Sequence, residues 1–164
     1  LEIRTPTAGT QVEPGAPHDP KIAIRADLTG HRGLIVAKYR SALRVLIVDD
    51  EPLMRWAIGE TLRSAGHIPI LAANGHEAIR AASAPPSVDI IVLDYQLPDR
   101  DGFDLLVALR CLAIDAGVIV ITAYDSEDLR SGAYRFGANR VLPKPLEMET
   151  LPAIVNEVNH CRPI

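Results

Sequence analysis

Cysteine is scarce. Cys111 and Cys161 are the two in 164 residues, and no motif spacing relates them. That argues against a disulfide framework or a zinc site and points to free thiols in a reducing compartment. Long apolar runs are missing as well. None approaches the ~18–20 residues of a membrane span, and the N-terminus lacks the basic-then-apolar pattern of a signal peptide. No membrane partner is expected, and the expected location is cytoplasmic. A basic surplus is absent too, since the formal net charge is -4. Nucleic-acid surfaces need clustered Lys and Arg, so no nucleic-acid partner is expected of this chain. The charge is uneven. Residues 1–42 hold six basic and four acidic groups, whereas residues 43–164 hold eleven basic and seventeen acidic. The first Met is Met54 and the chain begins with Leu, which reads as a processed product or a fragment.

What is present divides in two. Residues 1–42 read as a largely disordered extension, with Pro6, Pro14, Pro17, Pro20, Gly9 and Gly15 in its first twenty positions. Proline removes backbone donors and glycine raises the entropy cost of ordering. Ile22 and Ile24 alternate with polar neighbours, and Leu34 to Ala37 is a short apolar run, so two short strands or a docking arm are the alternatives there. Residues 43–162 read as one domain, because the length suits a single core.

From Leu43, apolar runs alternate with helical patterns. Val45 to Val48, Ile68 to Leu71, Val88 to Leu93, Val118 to Ile121 and Arg140 to Leu142 read as strands. The first helix carries Met54, Ile58, Leu62 and Ala65 on one face and ends at Gly66. Asn74 and Glu77 form a capping-box pattern that opens a second helix through about Ser83. Phe103 to Leu112 is the third helix. Ser126 to Phe136 is the fourth, with Leu129, Ala133 and Phe136 facing inward. The last helix starts near Glu149, which leaves Pro152 in its first turn. The strands at Val45, Val88 and Val118 are solidly apolar, the pattern of strands covered on both faces. Strand–helix repeats with short links imply right-handed crossovers and a parallel sheet. The expected fold class is α/β, a (βα)5 doubly wound domain.

In such sheets ligands sit beyond the carboxyl ends of the strands, where strand order reverses. Strand 1 ends in Asp49, Asp50 and Glu51. Strand 3 ends in Asp94, strand 4 in Thr122, and strand 5 is followed by Lys144 and Pro145. If strands 1 and 3 are neighbours, carboxylates converge there and repel one another. A hard cation such as Mg²⁺ relieves that repulsion. One carboxylate then serves as nucleophile, and the hydroxyl and ammonium contact a phosphoryl group. Each piece alone has a plainer reading. Paired Asp residues cap helices, a single Asp makes turns, Thr122 closes a strand, and Lys144 is a solvated charge. The information lies in their joint placement at successive strand ends.

The stretches LRVLIVDDE (residues 43–51), VDIIVLDYQLPDRDG (88–102), VIVITAY (118–124) and VLPKP (141–145) together resemble the receiver domains of two-component response regulators. The resemblance implies a flavodoxin-like sheet of order 2-1-3-4-5. It implies Asp94 as phosphoacceptor, with Thr122 and Lys144 on the phosphoryl group. Asp49, Asp50, Asp94 and the Gln96 carbonyl would hold Mg²⁺ or Mn²⁺, and the Lys144–Pro145 peptide would be cis. Asp99 and Gly102 match the loop into helix 3, where glycine is expected to supply backbone freedom. The implied partner is a sensor histidine kinase or phosphotransfer protein. The face of helix 4, strand 5 and helix 5 is the implied switching surface and allows a homodimer. Gln96 and Tyr124 occupy positions that tune phosphoryl lifetime. Val141 stands where the family places an inward-turning aromatic, so the usual switch is in question.

Met54 reads as core. Trp56 reads as a packing residue, with an exposed docking position on helix 1 as the alternative; its neighbourhood is similar to receivers of nitrogen-type transcriptional activators. A haloacid-dehalogenase-type phosphatase shares an Asp nucleophile, a Thr and a Lys. Its Asp-x-Asp spacing after strand 1 does not fit Asp49-Asp50-Glu51-Pro52, and no length remains for a cap domain. A binding module that has lost phosphorylation is disfavoured because all five site residues are present. The resemblance makes the chain a signalling domain and not a turnover enzyme.

Overall fold

The computed structural model describes residues 42–160. The expected N-terminal extension and Cys161 lie outside the described residues. Five strands and five helices alternate: β1 (Arg44–Val48), α1 (Pro52–Ser64), β2 (Ile68–Ala72), α2 (Gly75–Ser83), β3 (Ile90–Asp94), α3 (Gly102–Leu112), β4 (Gly117–Thr122), α4 (Glu127–Arg135), β5 (Arg140–Pro143) and α5 (Leu151–His160). The strands form one parallel sheet of order β2-β1-β3-β4-β5.

The solid apolar runs are explained by burial on both faces. Leu46, Val48, Ile91, Leu93, Val118 and Val120 pack beneath α2, α3 and α4. Their alternates Val45, Ile47, Ile90, Val92, Ile119 and Ile121 pack beneath α1 and α5. A fully buried aliphatic side chain stabilises by about 1.5–3 kcal/mol relative to exposure. These central strands therefore hold the frame on which the site is mounted. The edge strand β2 is much less buried, and its pattern alternates poorly.

Local signals place the helix ends. Asn74 accepts from the Glu77 N–H at 2.9 Å, and the Glu77 carboxylate accepts from the Ala73 N–H at 2.7 Å. The capping box thus reaches one residue further back than its usual form. Gly66, at φ +88°, closes α1 as expected. Pro52 opens α1 and Pro152 is the second residue of α5, where a missing N–H costs nothing.

Two packing expectations need correction. Phe136 does not face inward from α4: it follows the helix, is 37% exposed, and lies against Phe103. Trp56 does not pack into the body: it is 62% exposed on α1, beside exposed Leu53. The causes differ. Trp56 lies about 200° round α1 from the inward face of Met54, Ile58 and Leu62, and Phe136 follows the last residue of α4, Arg135, where the helical face no longer directs it.

Candidate functional site

The β1–β3 junction is the point where chain order reverses in the sheet, and it is where the carboxylates meet. Asp49 continues the β1–β2 ladder by one bond, its N–H donating to the Ala72 carbonyl at 3.2 Å. Asp94 is the last residue of β3 and stands level with Ile121 of β4. Thr122 ends β4 opposite Pro143, and the Lys144 N–H donates to the Thr122 carbonyl at 2.8 Å. Four neighbouring strand ends therefore present Asp49, Asp94, Thr122 and Lys144 along one edge.

The side chains converge. Lys144 Nζ donates to Asp94 Oδ2 at 2.6 Å and to Asp49 Oδ2 at 3.4 Å. Carboxylate oxygens of Asp49, Asp50 and Asp94 all lie within 4.8 Å of one another. The other oxygen of each buried carboxylate is held by a backbone donor two residues on. The Glu51 N–H meets Asp49 Oδ1 at 2.8 Å, and the Gln96 N–H meets Asp94 Oδ1 at 3.0 Å. Asp49 is 1% exposed and Asp94 is buried, whereas Asp50 and Gln96 face solvent.

Burial pushes the Asp49 carboxyl above its usual range, against the opposing pull of the Glu51 N–H and the Lys144 charge. Burial works to lower the Lys144 ammonium, but its hydrogen bond to Asp94 and the charges of Asp94 and Asp49 outweigh it and raise it. Lys144 stays charged. Two like charges 4 Å apart repel by on the order of 4 kcal/mol at an effective dielectric near 20. One ammonium cannot offset three such carboxylates. The donor set, three hard oxygens in a small cluster with surplus negative charge, fits a divalent cation of the Mg²⁺ type.

Thr122 is buried, and its hydroxyl is occupied within its own turn. It accepts from the Tyr124 N–H at 3.0 Å and donates to the Tyr124 carbonyl at 3.2 Å. Tyr124 itself is exposed. The Lys144–Pro145 peptide is cis, as expected, and Pro145 is exposed. Val141 is 4% exposed and packs in the core beneath α4.

The structure adds contacts that sequence reasoning did not single out. Arg55, in the first turn of α1, donates through its guanidinium to the Asp49 carbonyl at 2.6 Å. Asp49 thereby has both backbone polar atoms and both side-chain oxygens engaged. Asp99 accepts from the Gly75 N–H at 3.1 Å and the His76 N–H at 3.3 Å, so the β3–α3 loop caps α2. No sequence spacing marks either contact, because each joins separate elements. Gly102 also has a different reason from the one expected. Its φ is not positive; instead an added Cβ would stand 2.4 Å from the Tyr95 carbonyl and ring.

Comparison with known proteins agrees with this geometry. The family described as the response regulator receiver domain matches residues 45–156. The response regulator MprA of Mycolicibacterium vanbaalenii is 37% identical over 112 residues, covering 68% of this chain and 48% of that protein. The chain thus spans about half the length of the curated relatives it matches first. The receiver domain of Francisella response regulator 1452 is 29% identical with a TM-score of 0.67, over 72% of this chain and 97% of that one. A Burkholderia pseudomallei response regulator, solved with a phosphorylated aspartic acid, a calcium ion and citrate, is 27% identical with a TM-score of 0.65. That match covers 72% of this chain and 69% of the other. The chain belongs to the response regulator receiver domains, the phosphoacceptor modules of two-component signalling.

Proposed function

We propose that this chain accepts a phosphoryl group on Asp94 from the phosphohistidine of a sensor histidine kinase or phosphotransfer protein, with Mg²⁺ or Mn²⁺ present. The observation that carries the reading is the 2.6 Å contact of Lys144 with Asp94 inside a cluster of three carboxylates. The Burkholderia neighbour, with its phosphorylated aspartic acid and calcium ion, is consistent with it.

In this reading an Asp94 oxygen attacks phosphorus in line. The P–O bond forms as the P–N bond to the donor imidazole breaks, and the imidazole leaves with the electron pair and takes a proton from solvent. The Gln96 N–H fixes the orientation of the attacking carboxylate. Lys144 offsets negative charge growing on the phosphoryl oxygens. Water later attacks phosphorus, breaking the acyl phosphate and restoring the Asp94 carboxylate. Asp49, Asp50, Asp94 and the Gln96 carbonyl are the proposed metal ligands. Bound there, the cation supplies charge neutralisation for carboxylates and phosphoryl group alike.

Thr122 is the proposed link to the surface. To bond a phosphoryl oxygen its hydroxyl exchanges the two bonds it makes to Tyr124. That couples phosphorylation to the turn before α4. Val141 lacks a ring to rotate, so the α4–β5–α5 face needs another source of coupling. Tyr124 and Gln96 flank the approach of water and are proposed to set phosphoryl lifetime.

The test is incubation with acetyl phosphate and Mg²⁺, read by intact mass and by separation of the phosphorylated form. Wild type gains one phosphoryl group, and Asp94→Asn gains none. Labelling of wild type elsewhere, or none at any donor concentration, would refute the assignment.

A further inference from the structure

Three aromatic rings lead away from the phosphoacceptor in file. Tyr95 follows Asp94 directly, and its N–H donates to the Ile121 carbonyl at 2.8 Å, so its backbone is tied to β4. Its ring meets Phe103 of α3 edge-on, with centroids 5.0 Å apart. Phe103 meets Phe136, at the end of α4, with centroids 5.2 Å apart. The Arg135 guanidinium lies over the Phe136 ring at 5.7 Å. The file therefore begins at the residue after Asp94 and ends on the surface of α4.

Two glycines make room for it. A Cβ at Gly102 would come within 2.4 Å of the Tyr95 ring. A Cβ at Gly132 of α4 would come within 2.6 Å of the tip of Phe103 and within 3.1 and 3.3 Å of its neighbouring ring carbons. Phe103 is thus seated in a notch on α4 that only the lack of a side chain provides. Gly132 and Phe103 are half-buried, and it is the ring tip of Phe103 that an added Cβ would displace. Meanwhile the position that would carry a rotating aromatic is Val141, buried at 4% exposure.

We propose that the Tyr95–Phe103–Phe136 file, seated at Gly132, transmits the state of Asp94 to α4 in this chain. The inference rests on the reading of Asp94 as phosphoacceptor. Phosphorylation moves the loop that carries Tyr95, the edge-on contact passes the movement to Phe103, and the notch passes it to α4. The device supplies the coupling that Val141 cannot.

Backbone amides of the whole chain, isotopically labelled, are followed on adding Mg²⁺ and beryllofluoride, a phosphoryl mimic. In wild type, amides of the β3–α3 loop and of α4 both shift. In Phe103→Leu the loop amides still shift and acetyl phosphate still labels Asp94, but the α4 shifts fall by about threefold or more. Tyr95→Leu gives a similar loss, and the double variant loses no more than either single one, as members of one chain of contacts do. A purely structural role predicts additive losses of stability with the α4 response intact. If Phe103→Leu does not fold, Phe136→Leu at the solvent end of the file takes its place, with loss expected in the last turn of α4. An α4 response equal to wild type in the folded variants overturns the proposal. So does a wild type whose Asp94 loads without any response in α4. A wild type that never loads Asp94 overturns the phosphoacceptor reading and the file with it.

Discussion

Lys144 and Asp94 are 50 residues apart in sequence and 2.6 Å apart at Nζ and Oδ2. The same ammonium reaches Asp49 at 3.4 Å. One cation thus spans the strand ends of β1, β3 and β5, and it holds two buried carboxylates that repel each other.

Removing the ammonium leaves Asp49 and Asp94 facing each other. Lys144→Ala is expected to lose about 1–3 kcal/mol of stability in the absence of divalent cation, the cost of unsatisfied buried polar groups. Phosphoryl uptake from acetyl phosphate should slow at least tenfold, about 1.4 kcal/mol of barrier. Urea unfolding and labelling rates measure the two effects. Unchanged labelling would remove Lys144 from the chemistry.

Divalent cation should stabilise the fold through linkage. At a hundred times its dissociation constant, a ligand that binds the folded state adds about 2.7 kcal/mol. Thermal unfolding with Mg²⁺ titrated over a wide range should show a rising midpoint. Asp50→Asn should abolish most of that rise and, by removing one of three mutually repelling carboxylates, should leave stability without metal at or above that of wild type. A midpoint indifferent to Mg²⁺ would count against the cation site.

Asp99 gives the fold an acid-sensitive contact. The Gly75 N–H, aided by His76, holds its carboxyl below the ordinary value of 3.8. A depressed folded value means the stabilising contribution is present above 3.8 and is lost as pH falls through the folded value. Asp99→Asn should flatten that part of the pH–stability curve, with amides of the first turn of α2 exchanging faster. Identical acid profiles for wild type and variant would contradict the assignment.

Gly102→Ala should destabilise by about 1–3 kcal/mol through overcrowding, because the new Cβ meets the Tyr95 carbonyl as well as its ring. Denaturant midpoints measure this. A neutral result would mean that the β3–α3 loop yields freely, contrary to the close packing of Tyr95 on Gly102.

Much of this protein was legible before its fold was known. The apolar runs at Val45, Val88 and Val118 marked doubly covered strands, and Asn74 with Glu77 marked a helix start. Such signals are local: they act through backbone period and hydrogen bonding over a few residues. The motif set around Asp49, Asp50, Asp94, Thr122 and Lys144 was equally visible, because parallel strands of matched length bring their carboxyl ends to one edge. The exposure of Phe136 was not visible, since the apolar period of α4 runs on past Arg135, where the helix ends.

By itself, then, the sequence determined the order of strands and helices, the residue type at each strand end, and the family those residues belong to. Tertiary structure alone decided that Arg55 grips the Asp49 carbonyl, that Asp99 caps a helix from another loop, and that Phe103 rests in the notch at Gly132. Those contacts join segments distant in the chain. Their geometry depends on how whole elements pack, which no local periodicity encodes.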